Sequence, residues 1–292
     1  MAGMLKLGRL NNDSPAHYAA TFRVFLTSLE LTEEKARQFV GSKVPDSVLC
    51  ESGAMCVLGI GSGQGESDRV ILKRLLQHHS SVYNRVVEPS ETMIQKYKAL
   101  AREDTSLGAV KFDWRQQTAE EYFQTKDDTK FHLIHASHVL YYVEDPVATL
   151  RNMWEQLADG GYILLPMESE KGDIGKMKLK MWEDFGQGDR LTTALRFSGD
   201  IKGYLDALGI SYICENAYVV SLNVTECFKE NSESGALLLD FITHTPNASN
   251  MPEIRSMALE YIRRNSSVIG DKTIFQSTEE TIVVLKKGAK KE

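Results

Sequence analysis

The chain has 292 residues, 42% apolar and 25% charged, proportions of a globular protein that exclude a disordered or collagen-like chain. Lys and Arg number 34 against 40 Asp and Glu, a formal net charge of −6 that argues against a dedicated nucleic-acid binder, whose phosphate contacts need a basic face. No apolar run approaches the roughly 20 residues of a bilayer span, and the opening MAGMLKLGRLNND lacks the apolar stretch of a secretory signal.

Residues 14–29 are predicted to form a helix. Ser14 is placed to cap it and Pro15 suits its first turn, while Tyr18, Phe22, Phe25, Leu26 and Leu29 share one face. A second short helix is expected from Thr32 to just before Gly41. The pattern then changes. Met55–Ile60 is an apolar run ending in a glycine cluster, and helical periodicity follows through Val70, Ile71, Leu75 and Leu76. Strands are predicted at 83–87, 109–114, 131–136 and 162–167, with helices at 91–100, 119–123 and 146–157, the last ended by Gly160-Gly161. Strands and helices alternating in this way argue for an α/β fold, a mostly parallel sheet with helices on both faces.

The remainder is less regular. Helices are predicted at 173–185 and 201–208, the second ended by Gly209, and strands at 211–222 and 280–286. Between those strands lies a long stretch with helical stripes at 237–242 and at Ile254, Met257, Ala258, Tyr261 and Ile262. A hairpin needs only a few connecting residues, so this insertion is expected to be an element of its own that covers something. The tail KKGAKKE is read as a solvated end. Cys50, Cys56, Cys214 and Cys227 show no C-x-x-C spacing, which excludes a zinc ribbon or redox motif and fits a reducing, cytoplasmic setting.

The strongest local signal is Val57-Leu-Gly-Ile-Gly61-Ser-Gly63-Gln-Gly65-Glu66, between a strand and a helix. Glycines there allow a tight turn and close approach of a ligand, and a helix N-terminus offers N–H groups to an anion. Glycine recurs at every second position from Gly59 to Gly65, unlike the G-x-G-x-x-G dinucleotide fingerprint. Glu88 ends the next strand, where a carboxylate can accept both hydroxyls of a ribose lying over the glycine loop. A third signal is His135-Ala-Ser-His138-Val-Leu-Tyr141-Tyr142-Val-Glu-Asp145-Pro146, followed by Leu157-Ala-Asp159-Gly160-Gly161-Tyr162. His132, His135 and His138 look like a metal comb, but His132 and His135 fall on opposite strand faces and no Cys or carboxylate completes a set, so no metal is expected.

The glycine loop, the acid after the second strand, HxLYYVxDP and LxxGGxxLL together resemble S-adenosylmethionine-dependent methyltransferases of the seven-stranded Rossmann-like class, over roughly residues 50–168. HYAATFRVFL, VVEPSETMIQKYK, VKFDW, LYYVEDP, MWEDFG, LLLDF and TIVVL extend the likeness over nearly the whole chain, which is similar to the histamine N-methyltransferase family. That resemblance implies a single domain over 1–292: an N-terminal helical cover at 1–45, a cofactor core at 50–168 and a substrate lid at 225–276. It implies S-adenosyl-L-methionine as donor, held by Gly61, Gly63, Gly65, Glu88, Met93, Thr118, Ala119 and Ser137. The methionyl carboxylate is expected to face N–H groups near Gly61 and Gly63.

The same resemblance implies acceptor contacts from Tyr18, Phe22, Tyr142, Trp182 and Phe241. Polar positions depart from the family: its glutamine after the fourth strand is His138 here, its asparagine before the last strand is Ser277, and Glu30 neighbours the place of its N-terminal glutamate. Phe241 and Tyr261 fit either a core or a pocket. His138 and Tyr142 are the expected catalytic residues. The implied enzyme is a cytoplasmic monomer that N-methylates a small imidazole or amine such as histamine, with no nucleic-acid or membrane partner. A different small acceptor, or a methyltransferase fold that binds without turnover, are the alternatives.

Overall fold

A computed structural model describes residues 7–30, 43–49, 55–125 and 127–287. The helix expected from Thr32 lies outside the described residues. In chain order the principal elements are α1 (Pro15–Ser28), β1 (Met55–Ile60), α2 (Glu66–Leu76), β2 (Val82–Val87), α3 (Glu91–Glu103), β3 (Val110–Arg115), α4 (Ala119–Gln124), β4 (Phe131–His135) and α5 (Pro146–Gln156). There follow β5 (Leu157–Glu168), α6 (Asp173–Phe185), α7 (Ser198–Ala207), β6 (Tyr212–Asn223), α8 (Glu233–Thr243), α9 (Pro252–Asn265), β7 (Ser267–Ile269) and β8 (Lys272–Leu285). No helix among the described residues is long and apolar enough to cross a membrane.

The chain divides into two compact units. The first comprises Glu34–Met167, Ile201–Asn216 and Thr281–Glu292; the second comprises Met1–Glu33, Glu168–Asp200 and Ala217–Glu280. The sheet runs in the order β3-β2-β1-β4-β5-β8-β6, with β7 paired to β8 off that path. β1 pairs in parallel with β2 on one side and β4 on the other, and β2–β3 and β4–β5 are parallel too. The α/β expectation is met.

Consecutive residues of the central strands feed different apolar clusters. Leu58, Ile134 and Leu165 belong to one, Val57, Leu133 and Leu164 to another. Alternation across the pleat therefore buries both faces, which is why these strands read as unbroken apolar runs. The strand order reverses at β1, where β2 lies to one side and β4 to the other. In open α/β sheets the ligand crevice opens beyond the carboxyl ends of strands at such a point.

Four sequence expectations need correction, the last of them the start of β8, given below. Ser14 stands at the N-cap of α1, but its side chain makes no capping hydrogen bond; Pro15, with no N–H to satisfy, opens the helix by itself. Gly160 and Gly161 do not end a helix. α5 stops at Gln156, and both glycines lie inside β5. There the register with β4 slips between the pairs Phe131–Leu157 and Leu133–Tyr162, and Gly160 supplies the left-handed residue of the kink, φ 81°. The tail is not wholly solvated either, because Lys286 Nζ donates to the carbonyls of Trp154 (3.0 Å) and Leu157 (2.9 Å) at the end of α5. A cation suits the carbonyl end of a helix, where the macrodipole is negative.

In the second unit one cluster gathers Leu7, Ile174, Met177, Leu238, Ile254, Ala258, Ile262 and Phe275. The predicted stripe at 254–262 thus faces core. β8 begins at Lys272 rather than near 280. Its first residues form a hairpin with β7, Ile269 opposite Lys272, and Gly270 supplies the turn with φ 63°.

Candidate active site

In the first unit the loop after β1 climbs from Gly61 to Gly65 and enters α2. Gly61, Gly63 and Gly65 all have positive φ, 63°, 55° and 84°. A Cβ on Gly61 would lie 2.5 Å from Val139 Cγ2, and one on Gly65 would run into the ring of Tyr97. The loop is therefore pressed against the protein at both ends. A Cβ on Gly63 would meet nothing within 4 Å, so the middle of the loop faces open space.

The loop is tied to the end of β2. Gly61 N–H donates to Val87 O at 2.8 Å. Gly63 N–H donates to Glu88 Oε2 at 2.9 Å, and Ser90 N–H donates to Oε1 at 2.9 Å. Glu88 is 7% exposed. Each carboxylate oxygen accepts one bond and keeps lone-pair capacity for another. Burial pushes the Glu88 carboxyl above its ordinary value; the Ser90 and Gly63 amides pull the other way, and the nearby Asp68 charge raises it further. The Gly61 and Gly63 amides, expected to face a methionyl carboxylate, are engaged by Val87 and Glu88.

Of the other expected donor contacts, Met93 is half-buried in the first turn of α3, its N–H directed to the Ser90 cap. Thr118 caps α4 in a reciprocal pair with Glu121 (2.9 and 3.2 Å), and Ala119 opens that helix, buried. Ser137 Oγ is buried and has no hydrogen-bond partner among the described residues. His138 follows in the left-handed region, φ 55°, unusual for a residue with a side chain. Its N–H donates to Pro166 O at 3.0 Å. Its exposed ring stacks on Tyr141 and places Nδ1 3.2 Å from that hydroxyl. Tyr142 is half-buried, its ring edge-on to Tyr141 at 5.7 Å.

The second unit holds the remaining acceptor candidates. Phe241 is the hub of an aromatic group, with ring centroids 6.1 Å from Tyr18, 5.8 Å from Phe22 and 4.3 Å from Phe25. Tyr18 and Phe22 stack at 6.0 Å with planes 7° apart, which their four-residue spacing on α1 allows. Trp182 is not among these ring contacts; it is half-buried and packs over Gly186. Glu30 pairs with Lys272 at 2.9 Å on the surface. Ser277 is buried on β8.

Two residues of this unit were not singled out by sequence. His244 caps the end of α8 with φ 52° and lies 6.1 Å from the Tyr18 ring. Burial, with the Lys178 charge nearby, pushes its pKa down to about 3, so the imidazole is neutral at physiological pH. Asp240 is the other. It accepts from His17 Nε2 (2.8 Å), Asn247 N–H (3.1 Å) and Ser249 N–H (2.9 Å), and so fastens α1 beside α8. A helix-end polar residue after LLLDFIT carries no periodic signal, but His at an αL cap position is a known enrichment.

Three comparisons place the chain among known proteins. A family model described as a methyltransferase domain matches residues 58–163. The chain is 33% identical to a histamine N-methyltransferase of Danio rerio over 285 residues, covering 91% of this chain and 94% of that protein. It is 34% identical to a histamine N-methyltransferase of Mus musculus over 245 residues, covering 80% and 81%. The fold is similar to the crystal structure of the YcgJ protein from Bacillus subtilis, with a TM-score of 0.55 and 14% identity over 86% of this chain and 99% of that one.

Proposed function

The chain belongs to the histamine N-methyltransferase family, and from that membership we propose that it transfers the methyl group of S-adenosylmethionine to a nitrogen of a small imidazole or amine, with histamine the first acceptor to test. The observation that carries the donor site is Glu88: a buried carboxylate at the end of β2, bonded to the Gly63 amide of the glycine loop. Its remaining lone pairs suit two ribose hydroxyls, and the open space over Gly63 suits a ligand passing close to the backbone. Met93 and Thr118 are placed beside the adenine, and Ala119 and Ser137 are the further donor contacts that the family resemblance assigns. When bound, the donor supplies an electrophilic methyl on a sulfonium, so correct placement provides most of the rate.

The chain's own residues would then do three things. Glu88 and the loop fix the donor. Tyr18, Phe22 and Phe241 offer flat faces to an imidazole or a small cation, an attraction of about 0.5–2 kcal/mol, and Tyr142, Trp182, Glu30 and Ser277 are the further acceptor contacts that the family resemblance assigns. His138 hydrogen-bonds the acceptor nitrogen and takes its proton, since an amine attacks only with a free lone pair.

Replacing Glu88 with alanine is expected to weaken binding of S-adenosylhomocysteine by about 1.5–3 kcal/mol, the range of hydrogen bonds to a charged group. Calorimetry reads this directly. The sign of the pH effect also follows. Only the ionised carboxylate accepts both hydroxyls, and its pKa is raised, so affinity is full above that raised value and falls as the pH drops through it. E88A should lack this slope; a slope that persists assigns the titration elsewhere.

The function is tested by assaying a panel of amines, imidazoles and alcohols with labelled donor. In parallel, His138→Gln, which installs the family's residue, should delete one ionisation from the pH profile of kcat/KM and move the acceptor ranking towards histamine. A profile and ranking both unchanged in that variant would remove His138 from the mechanism. A panel with no turnover at all would remove the enzymatic reading.

A further inference from the structure

Beneath the glycine loop lies a set of polar side chains that none of the motifs explains. Asp68, in the first turn of α2, is 1% exposed; His135, the last residue of β4, is 1% exposed, and Asn84 on β2 is fully buried. Withdrawing a carboxylate from water costs several kcal/mol unless partners replace its hydration. Asp68 has such partners, and they belong to the loop and its supports. Ser62 Oγ donates to Asp68 Oδ2 at 2.9 Å. The buried Tyr97 hydroxyl is kept protonated by burial and by the Asp68 charge beside it, and it accepts from Asn84 Nδ2 at 3.3 Å. His135 Nε2 stands 3.5 Å from Asp68 Oδ1.

The backbone makes room for this arrangement. A Cβ on Gly59 would collide with Ser62 Oγ and lie 2.8 Å from Asp68 Oδ2 and 3.0 Å from His135 Cε1. The ring of Tyr97 in turn fills the space that a side chain on Gly65 would take. The carboxylate thus grips the loop at Ser62 directly, and Tyr97, whose hydroxyl senses the same charge, packs under Gly65. Ser62 is the residue between Gly61 and Gly63; its carbonyl also accepts the Gly65 N–H at 3.0 Å. Position Ser62 and the Gly63 N–H is aimed at Glu88; release Ser62 and that aim is lost.

We propose that Asp68 is a positioning residue for methyl transfer: acting through Ser62 and Tyr97, it holds the Gly61–Gly65 loop in the shape that receives the donor. The proposal rests on the donor-site reading given above. It assigns no contact between Asp68 and any reacting atom. It predicts a defect confined to donor binding, whereas a merely structural role would lower stability and leave affinities alone.

The test uses the full chain and the variants Asp68→Asn, Ser62→Ala and Ser62→Thr, with Glu88→Ala as reference. S-adenosylhomocysteine affinity is measured by calorimetry, KM for donor and acceptor by initial rates, and Tm without ligand. D68N and S62A should each raise the Kd and the donor KM about tenfold or more, the effect of losing one or two hydrogen bonds to a charged group. The acceptor KM should stay within about twofold, because nothing in this group is assigned to the acceptor. S62T keeps the hydroxyl and should restore most of the donor affinity. S62A removes a single oxygen from a partly exposed loop, so it remains informative if D68N does not fold.

Wild-type donor affinity in S62A and D68N, with only a lowered Tm, would overturn the proposal. So would an equal rise in both KM values. If E88A loses affinity while S62A and D68N keep it, the donor site stands and the positioning role falls. If the unaltered chain binds no S-adenosylhomocysteine, the donor-site reading itself fails and the proposal with it.

Discussion

Replacing Gly61 with valine should reduce affinity for S-adenosylhomocysteine by more than about a hundredfold while leaving the chain folded. Two costs coincide at this residue. Its φ of 63° lies in the left-handed region, which costs an ordinary L-residue about 1–2 kcal/mol and a β-branched one more. Its Cβ would lie 2.5 Å from Val139 Cγ2, well inside van der Waals contact. The segment escapes both by rotating away, and that breaks the Gly61 N–H bond to Val87 O. Gly63, two residues on, then loses its alignment with Glu88. The loop is a surface connection, so the loss of stability should stay near 1–3 kcal/mol, a fall of a few degrees for a chain of this size. Calorimetry and circular dichroism check the two halves of this expectation. Affinity within about threefold of wild type would show that the donor does not approach the loop at Gly61.

The largest effect on stability is expected at Arg85. It sits on β2 with its side chain 6% exposed and donates to Asp113 (2.8 Å) and Asp127 (2.6 Å). It also donates to the hydroxyls of Tyr122 and Tyr83, and its guanidinium lies 5.3 Å from the Phe131 ring centroid. Methionine conserves much of the volume but removes the guanidinium from two carboxylates and two phenols, leaving Asp113 to Arg115 and Tyr83 and Asp127 to Thr129. Breaking a buried ion pair by removing one partner costs about 3–5 kcal/mol. Asp113 and Asp127 are 22% and 26% exposed, so solvent screening puts Arg85→Met near the lower end, about 3 kcal/mol. Both carboxyls are held below their usual range. For Asp113 burial opposes the shift and bonds from Arg115, Tyr83 and Arg85 overcome it; for Asp127 the Thr129 bonds lead. Groups with depressed pKa values stabilise the fold above their unfolded pKa and lose that contribution as the pH falls through the folded value. The gap between wild type and R85M should therefore narrow in acid. Urea unfolding at neutral and acidic pH measures it, and a difference under about 1 kcal/mol at neutral pH would mean that the cluster does not act as a buried pair.

The first unit was legible because its strands are buried on both faces. Val57-Leu58, Leu133-Ile134 and Leu164-Leu165 are apolar pairs that announce themselves, and Glu88 stands out as a charge at the end of such a run. Asp68, Asn84 and His135 defeat the same reasoning. Pattern reading sends polar residues outward, and these three point inward to one another and to the loop. The hairpin start of β8 was hidden for a related reason: its first residues, Lys272 and Thr273, are polar, and the buried pair Ile274-Phe275 is too short to signal a strand. In the aromatic group, spacing on α1 found Tyr18 and Phe22. It could not find His244, whose place depends on how α8 ends rather than on any period. Gly160 and Gly161 carried a true signal of a backbone irregularity, but a helix end and a strand bulge ask for glycine alike.

The second unit is assembled from three separate stretches of chain, and its apolar cluster includes both Leu7 and Phe275. On a ribosome these residues appear at opposite ends of synthesis. At about 5–20 residues per second, Leu7 waits many seconds for Phe275 to emerge. Throughout that interval α1, with Phe22 and Phe25, has no finished core to pack into, and it is a natural client for chaperones. β8 runs from Lys272 in the second unit to Leu285 in the first. A message that stops short of that strand would therefore deprive both units of their last element, and the product should be found in the insoluble fraction rather than as a half-folded soluble fragment.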